Sequence, residues 1–318
     1  MPEEISSLAQ NDFDNHIAQE LINGQQEVVE FTRSANPVDE RAEESYTRAR
    51  ELVNAARPVP QIIWRICSFV LGRPNNINQL SEGLLFGLKR LVLAIGSDPT
   101  LSAGRRKLSS VREVTEVVPS DLLAASAVMH AVCRRLQTKD LRGVWGPVLE
   151  DALLRAHIGF FVGSTLESFG SGRGMLAGFA GRVGLAVLIA QGTAEQAASA
   201  MTALSVGRQV DEITLEIYGA ASLHVAGMVL LAAGCGRDAL IGIGSFGMSK
   251  AHQKLMHPES RRWLAAFSII ENLRAETSEK IPEDVWDNLG LLKPSDRSEL
   301  KQTAAMLAST GHRWGWLF

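Results

Sequence analysis

The sequence predicts an all-α protein, and three observations support this fold class. Apolar residues recur at helical spacing in segment after segment along the chain. No stretch shows the convincing alternation of apolar and polar residues that marks a half-buried strand. No repeat of fixed period is present either. We therefore expect a multi-helix bundle.

Composition places the chain among ordinary soluble globular proteins. Its 318 residues, 46% apolar and 21% charged, suffice for one large core or two smaller ones. The formal net charge of −3 gives no reason to expect a nucleic-acid or membrane-surface partner. Three widely spaced cysteines, Cys67, Cys133 and Cys235, predict buried apolar side chains rather than disulfides.

The sequence predicts neither a secretion signal nor a membrane span. The amino terminus lacks the basic and apolar regions of a signal peptide. The longest apolar stretches are interrupted by Arg182, Gln191 or His224, and they fall short of about 20 clean residues. We therefore expect a cytoplasmic protein.

Residues 1–50 form an acidic N-terminal extension, in which eleven acidic and four basic residues give a local net charge of −7. Ile17, Leu21 and Val28 lie at positions that predict a short amphipathic helix, and a second polar run begins at Arg41. Such segments either dock on the core or remain partly disordered.

Residues 56–136 predict four helices separated by turn-forming clusters. Pro60 suits a first helical turn, and Gly72–Asn78 predicts a turn after that helix. Pro119–Asp121 supplies an N-cap for a later helix. The predicted helices cover residues 62–70, 80–95, a stretch opened by 109–113, and 122–136.

The centre of the chain is its most apolar part. A long helix is predicted from Val148 to Phe169, and the glycines of Gly170–Gly174 predict a loop after it. The run Met175–Leu188 is almost uncharged and alternates small with large apolar residues. Such a run predicts a buried helix whose backbone packs closely against its neighbours.

The last third of the chain predicts further helices and becomes more polar after Met248. Thr193 with Gln196 predicts a capping box at the start of one helix. The predicted elements cover residues 194–203, 211–233, 238–246, 261–275, 282–290 and 295–309. We divide the chain into an extension (1–50), a helical core (51–250) and a C-terminal helical extension with an aromatic tail (251–318).

Four stretches, in order, resemble the HDOD domain, a bacterial signalling branch of the HD superfamily. Pro58–Ile63 resembles its Leu-Pro-x-Leu-Pro-x-Val entry, and Leu108–Val114 resembles its Ile-Ser-Ser-Val-x-x-Ala segment. Met175–Gly178 with Val183-Gly184 resembles Phe-Leu-Ala-Gly-Leu-Leu-His-Asp-Ile-Gly. Tyr218-Gly219 resembles the start of the Phe/Tyr-Gly-x-x-His helix. The resemblance covers about residues 55–250, and it implies an HD-superfamily-like bundle.

This sequence departs from the superfamily at the metal-ligand positions. Gly181 and Arg182 replace the His-Asp pair, and Ser222 stands where the later helix usually has His. His157 alone matches a ligand position, and one imidazole cannot hold a catalytic ion that needs about three protein ligands. We therefore expect no metal, no cofactor and no catalytic residue.

The resemblance implies a pseudoenzyme that acts in bacterial signal transduction through contacts with a protein partner. One alternative is a small-molecule or nucleotide sensor that uses the relic pocket, by which we mean His157, Gly181, Arg182, Ser222 and His224. A second alternative is a residual phosphohydrolase with a different ligand set.

Each candidate site residue also has a structural interpretation. His157 and His224 sit in apolar helices, which favours core histidines over functional ones. Arg182 needs a carboxylate or an anionic ligand if it is buried, and a structural salt bridge is favoured over a phosphate site. Plausible carboxylate partners of Arg182 are Glu167, Asp211, Glu212 and Glu216.

Two further segments are candidates for binding. The basic loop containing Arg105, Arg106 and Lys107 could hold an anion, although a solvated loop is favoured. The tail residues Trp314, Trp316 and Phe318 predict a contact surface, either within the chain or with a partner.

Overall fold

The computed structural model describes sixteen α-helices, three short 3₁₀ helices and no strand within the ranges given next. The described residues are 2–35, 40–57, 59–72, 85–104, 108–136, 142–166, 168–312 and 314–317. The predicted all-α class is therefore confirmed. The helices are α1 (Pro2–Ala35), α2 (Glu40–Ala56), α3 (Gln61–Val70), α4 (Lys89–Gly96), α5 (Val111–Val117), α6 (Ser120–Leu136), α7 (Arg142–Ser164), α8 (Ser171–Gln191), α9 (Ala194–Ser205), α10 (Val210–Tyr218), α11 (Ser222–Ala232), α12 (Arg237–Gly244), α13 (Lys250–Leu255), α14 (Pro258–Arg274), α15 (Glu283–Leu289) and α16 (Pro294–Thr310).

Helix α8 is the centre of the core, and α6, α7, α11 and α14 pack around it. Its glycines make this packing possible. A Cβ atom on Gly174 would overlap the carbonyl oxygen of Gly159 in α7, and one on Gly184 would overlap that of Ser222 in α11. The close backbone packing predicted for this stretch is therefore present.

The ends of α7 and α8 differ from the prediction. The expected loop at Gly170–Gly174 is wrong, since α8 begins at Ser171. Gly170 directly precedes α8, with a φ of +89° that favours glycine. Gly172 and Gly174 lie inside the helix, at positions where a Cβ atom would overlap backbone atoms of the adjacent helices.

The single helix predicted over 211–233 is also wrong. Gly219 adopts a left-handed conformation (φ +73°) and ends α10, so that α10 and α11 meet at a bend of 85°. Three side chains accept hydrogen bonds from the first amides of α11 and so stabilise the bend. They are Ser45 (2.9 Å from Ala221 N), Thr214 (2.9 Å from Ser222 N) and Asp211 (3.1 Å from Leu223 N).

The acidic extension docks on the core. Helix α1 packs against α2 and α11, and α2 packs against α11 and α8. Leu21, Val28 and Tyr46 are fully buried at these contacts. The hydrophobic faces predicted for the extension are therefore part of the main core.

One described helix, α8, has the length and apolar composition to cross a membrane, which the sequence analysis did not expect. Two bent pairs, α5 with α6 and α10 with α11, would qualify only if each pair formed a single span. However, 89% of the apolar window of α8 is buried inside the protein. Its apolar surface is therefore used in packing against other helices.

Candidate functional site

Arg182 of α8 forms an ion pair with a carboxylate on α7. Its Nε lies 2.9 Å from Oδ2 of Asp151. Of the four partners expected from the sequence, Glu212 is exposed, Glu216 pairs with Arg208, and Asp211 is near Arg182 without forming an ion pair. The fourth, Glu167, lies outside the described residues.

Asp151 is the shared acceptor of three arginines. Arg155 and Arg274 also contact it, each through Nε at 2.8 Å. Burial by itself would raise the pKa of Asp151, but the three guanidinium groups outweigh burial and hold this pKa below its ordinary value. Asp151 is therefore ionised at neutral pH.

Arg155 joins Asp151 to a second carboxylate. It lies one helical turn after Asp151 and is 5% exposed, and its Nη1 donates to Glu271 of α14. Burial disfavours the charged guanidinium, but the two carboxylates outweigh this effect and raise the pKa of Arg155. We call Asp151, Arg155, Arg182, Glu271 and Arg274 the arginine–carboxylate cluster.

The cluster fills the space beside Gly181. A Cβ atom on Gly181 would lie 2.5 Å from Oε1 of Glu271 and 3.1 Å from Cδ of Arg155. A histidine at this position would therefore collide with side chains that are already ion-paired. A divalent metal does not fit these residues, since Gly181 offers no ligand and Arg182 presents a cation. In the described part of the chain, no group of three or more His, Cys, Asp or Glu side chains could hold a metal ion.

Asp211 lies at the edge of the cluster. Burial and the nearby Glu271 raise its pKa, whereas hydrogen bonds from the Leu223 and Ser222 amides and the charge of Arg182 lower it; burial dominates. The Ser222 hydroxyl is buried and has no hydrogen-bond partner among the described residues. Asp211 thus connects the cluster to the start of α11.

His224 is a core histidine held by α2. Its ring stacks on Tyr46 with centroids 3.7 Å apart, and its Nδ1 lies 2.7 Å from the Ser45 hydroxyl. Burial lowers the pKa of His224 to about 3, so its ring is neutral at physiological pH.

His157 does not join the cluster. Its ring is 3% exposed and stacks on Trp314 of the tail, with centroids 4.4 Å apart. The structure thus separates the relic pocket into the cluster around Gly181 and Arg182, the start of α11, and the His157 region. A ligand role for these residues stays a prediction.

The carboxy-terminal tail docks on its own chain. Trp314 is fully buried, and the indole of Trp316 donates to Oδ2 of Asp98 at 3.0 Å. His312 contacts the carboxylate of Glu150 on α7. Phe318 and the predicted anion-binding residues Arg105, Arg106 and Lys107 lie outside the described residues.

Sequence reasoning missed four members of the cluster, namely Asp151, Arg155, Glu271 and Arg274. The sequence did contain a pattern that could have identified Asp151 and Arg155. Asp151 and Arg155 are spaced i, i+4 within an otherwise apolar helix, and a buried helix seldom carries such charges without partners. Glu271 and Arg274 had no comparable signal, because their partners are more than a hundred residues away.

Comparison with known proteins identifies the fold. No family model matches the chain, and no curated protein matches it. An HDOD domain protein of unknown function from Geobacter sulfurreducens superposes with a TM-score of 0.59 at 16% identity, covering 84% of this chain and 95% of that one. The chain therefore has an HDOD-like fold.

Two other solved structures are similar to the chain. A candidate signal transduction protein from Marinobacter aquaeolei VT8 has a TM-score of 0.56 at 19% identity, covering 83% of this chain and 66% of that one. A candidate phosphohydrolase from Shewanella amazonensis SB2B has a TM-score of 0.51 at 15% identity, covering 82% of this chain and 94% of that one. Because the sequence identities to these solved structures are so low, the comparison shows a similar fold and nothing more.

Proposed function

We propose that this chain is a non-catalytic HDOD-like protein that acts in bacterial signal transduction, in the cytoplasm, through contacts with a protein partner. One observation carries the proposal: an arginine–carboxylate cluster surrounds Gly181 and Arg182, the two residues that the sequence resemblance matches to the His-Asp pair of the HD superfamily. The name of the Marinobacter structure supports a signalling role.

The chemistry of the cluster argues against metal-dependent hydrolysis. A catalytic divalent ion needs about three protein ligands and an open coordination position. Here Asp151 and Glu271, which could ligate a metal, are engaged by guanidinium groups. A metal would have to displace an arginine and leave its charge without a partner.

A nucleotide sensor is the second candidate, and the exposure of two arginines favours it. The side chains of Arg182 and Arg274 are 22% and 34% exposed, so a phosphate could approach their guanidinium groups. A nucleotide that binds there would raise the melting temperature by mass action, and Arg182→Ala would abolish this shift. We expect no nucleotide to stabilise the wild-type protein, because Asp151 already pairs with both arginines.

The proposal is tested by activity and by partner capture. Hydrolysis of cyclic dinucleotides and generic phosphoesters, assayed with added Mn²⁺, should not exceed background. The Shewanella structure carries a phosphohydrolase name, so turnover above background would favour that reading instead.

Partner capture uses the tagged full chain in native cells, with mass spectrometry to identify the proteins retained. We expect a signalling protein that also binds the purified chain at a defined stoichiometry. Failure of every captured protein to bind the purified chain would contradict the proposed role.

A further inference from the structure

We infer that Arg155 takes the structural and electrostatic place of the metal ion at this position of the fold. Like the proposed function, the inference rests on the match of Gly181-Arg182 to the His-Asp pair, but it does not require a signalling partner. Arg155 lies on α7, contacts Glu271 on α14, and borders the site of the missing side chain of Gly181 on α8. The Arg155 cation therefore links α7 to α14 and lies beside α8.

The guanidinium group suits this bridging role. It is planar, stays charged at any physiological pH, and has five N–H donors that can serve two carboxylates at once. Nε of Arg155 donates to Asp151 at 2.8 Å, and Nη1 donates to Glu271. A lysine would offer a single ammonium on a flexible stem and could not reproduce both contacts.

The three arginines of the cluster are not equivalent. The side chain of Arg155 is 7% exposed, whereas those of Arg182 and Arg274 are 22% and 34% exposed. Asp151 would keep two arginine partners if Arg155 were removed. Within the described part of the chain, Arg155 is the one ion-pair partner of Glu271. Loss of Arg155 therefore removes the ion pair of Glu271 and leaves only the nearby charge of Arg182 to compensate this carboxylate.

Because the guanidinium group of Arg155 already supplies a positive charge beside Gly181, the folded protein should need no bound metal ion for its stability. A divalent ion bound beside Gly181 would have to share Glu271 with Arg155, at a distance where the two cations repel. The wild-type protein should therefore have the same melting temperature before and after dialysis against EDTA.

The inference is tested by thermal melting of the full chain and four variants. Arg155→Ala should lower the melting temperature by about 6–12 °C, as expected when a partly buried carboxylate loses its ion-pair partner. Millimolar guanidinium ion should recover part of this loss in Arg155→Ala and leave the wild type unchanged. Arg155→Lys should lose more than half as much as Arg155→Ala. Adding Glu271→Gln to Arg155→Ala should recover at least half of the loss.

The matched control is Arg112→Ala, which removes an exposed arginine from an i, i+4 pair with Glu116 and should change the melting temperature by less than about 2 °C. If Arg155→Ala does not fold, Arg155→Lys and the EDTA comparison remain decisive. Three results would each overturn the inference: a wild type destabilised by EDTA and restored by Mn²⁺, an Arg155→Lys variant as stable as the wild type, or a double variant no more stable than Arg155→Ala.

Discussion

Helix α7 makes two contacts of opposite chemical character. On one face, Asp151 and Arg155 form ion pairs with α8 and α14; we call this the ionic contact. On another face, His157 stacks on Trp314 of the tail; we call this the aromatic contact. By sequence resemblance, His157 in the aromatic contact matches a superfamily ligand position, and Gly181 and Arg182 beside the ionic contact match the His-Asp pair.

The two contacts should respond differently to mutation. In the ionic contact, loss of the shared acceptor Asp151 leaves Arg182 and Arg274 without their ion-pair partner. In the aromatic contact, stability depends on the apolar area removed from water, so losses scale with the area deleted. The comparison therefore predicts a larger cost at Asp151 than at the tail.

Asp151→Asn should have the largest effect, because it removes the shared acceptor of three arginines. We expect a loss of roughly 3–5 kcal/mol in the free energy of unfolding, measured by urea denaturation. Asp12→Asn is the matched control, since it makes the same change at an exposed carboxylate of α1. An Asp151→Asn variant no less stable than Asp12→Asn would contradict the description of the ionic contact.

Deletion of residues 313–318 should have the second largest effect. Trp314 is fully buried, and burying a large ring contributes about 1.5–3 kcal/mol. A loss of this size in the isolated protein, measured by thermal melting, supports internal docking. Unchanged stability together with loss of a captured partner would indicate an interface instead. No change in either measurement would rule out a contact role for the tail.

His224 should make stability depend on pH. Burial lowers its pKa to about 3 in the folded protein, compared with 6.5 for an ordinary histidine. As the pH falls, the unfolded chain therefore protonates His224 near pH 6.5, whereas the folded protein does so only near pH 3. The free energy of unfolding is not reduced by this group above pH 6.5. Below pH 6.5 it falls by about 1.4 kcal/mol per pH unit.

The check compares urea denaturation of the wild type and His224→Asn at pH 7.5 and pH 5.5. The wild type should lose about 1.4 kcal/mol more than the variant over this interval. Equal losses in the two proteins would show that His224 is protonated in the folded state.

Local signals predicted much of the fold. Thr193 and Gln196 form the expected capping box, and Gly290 ends α15 with a left-handed conformation. The bend at Gly219 was not predicted, because the apolar pattern continues through it. The bend depends on capping by Ser45, which lies 176 residues away from the amide that it caps. Hydrophobic periodicity carries no information about such a distant partner.

The candidate site was less predictable than the fold. The sequence indicated that Arg182 needs a carboxylate, but it favoured Glu167, Asp211, Glu212 and Glu216 on neighbouring helices. The actual partner, Asp151, lies on α7. Arg182 of α8 can reach it because glycines of α7 and α8 bring these two helix backbones into contact. A pairing of this kind follows from tertiary packing, so one sequence alone could not identify it.

Our central proposal is that a cluster of arginines and carboxylates stands where the HD superfamily has its metal centre. Elemental analysis of the purified full chain tests this claim most directly. We predict Mn, Fe and Zn contents well below one atom per chain, including after incubation with each metal and removal of the excess. About one or two tightly bound metal ions per chain would contradict the account.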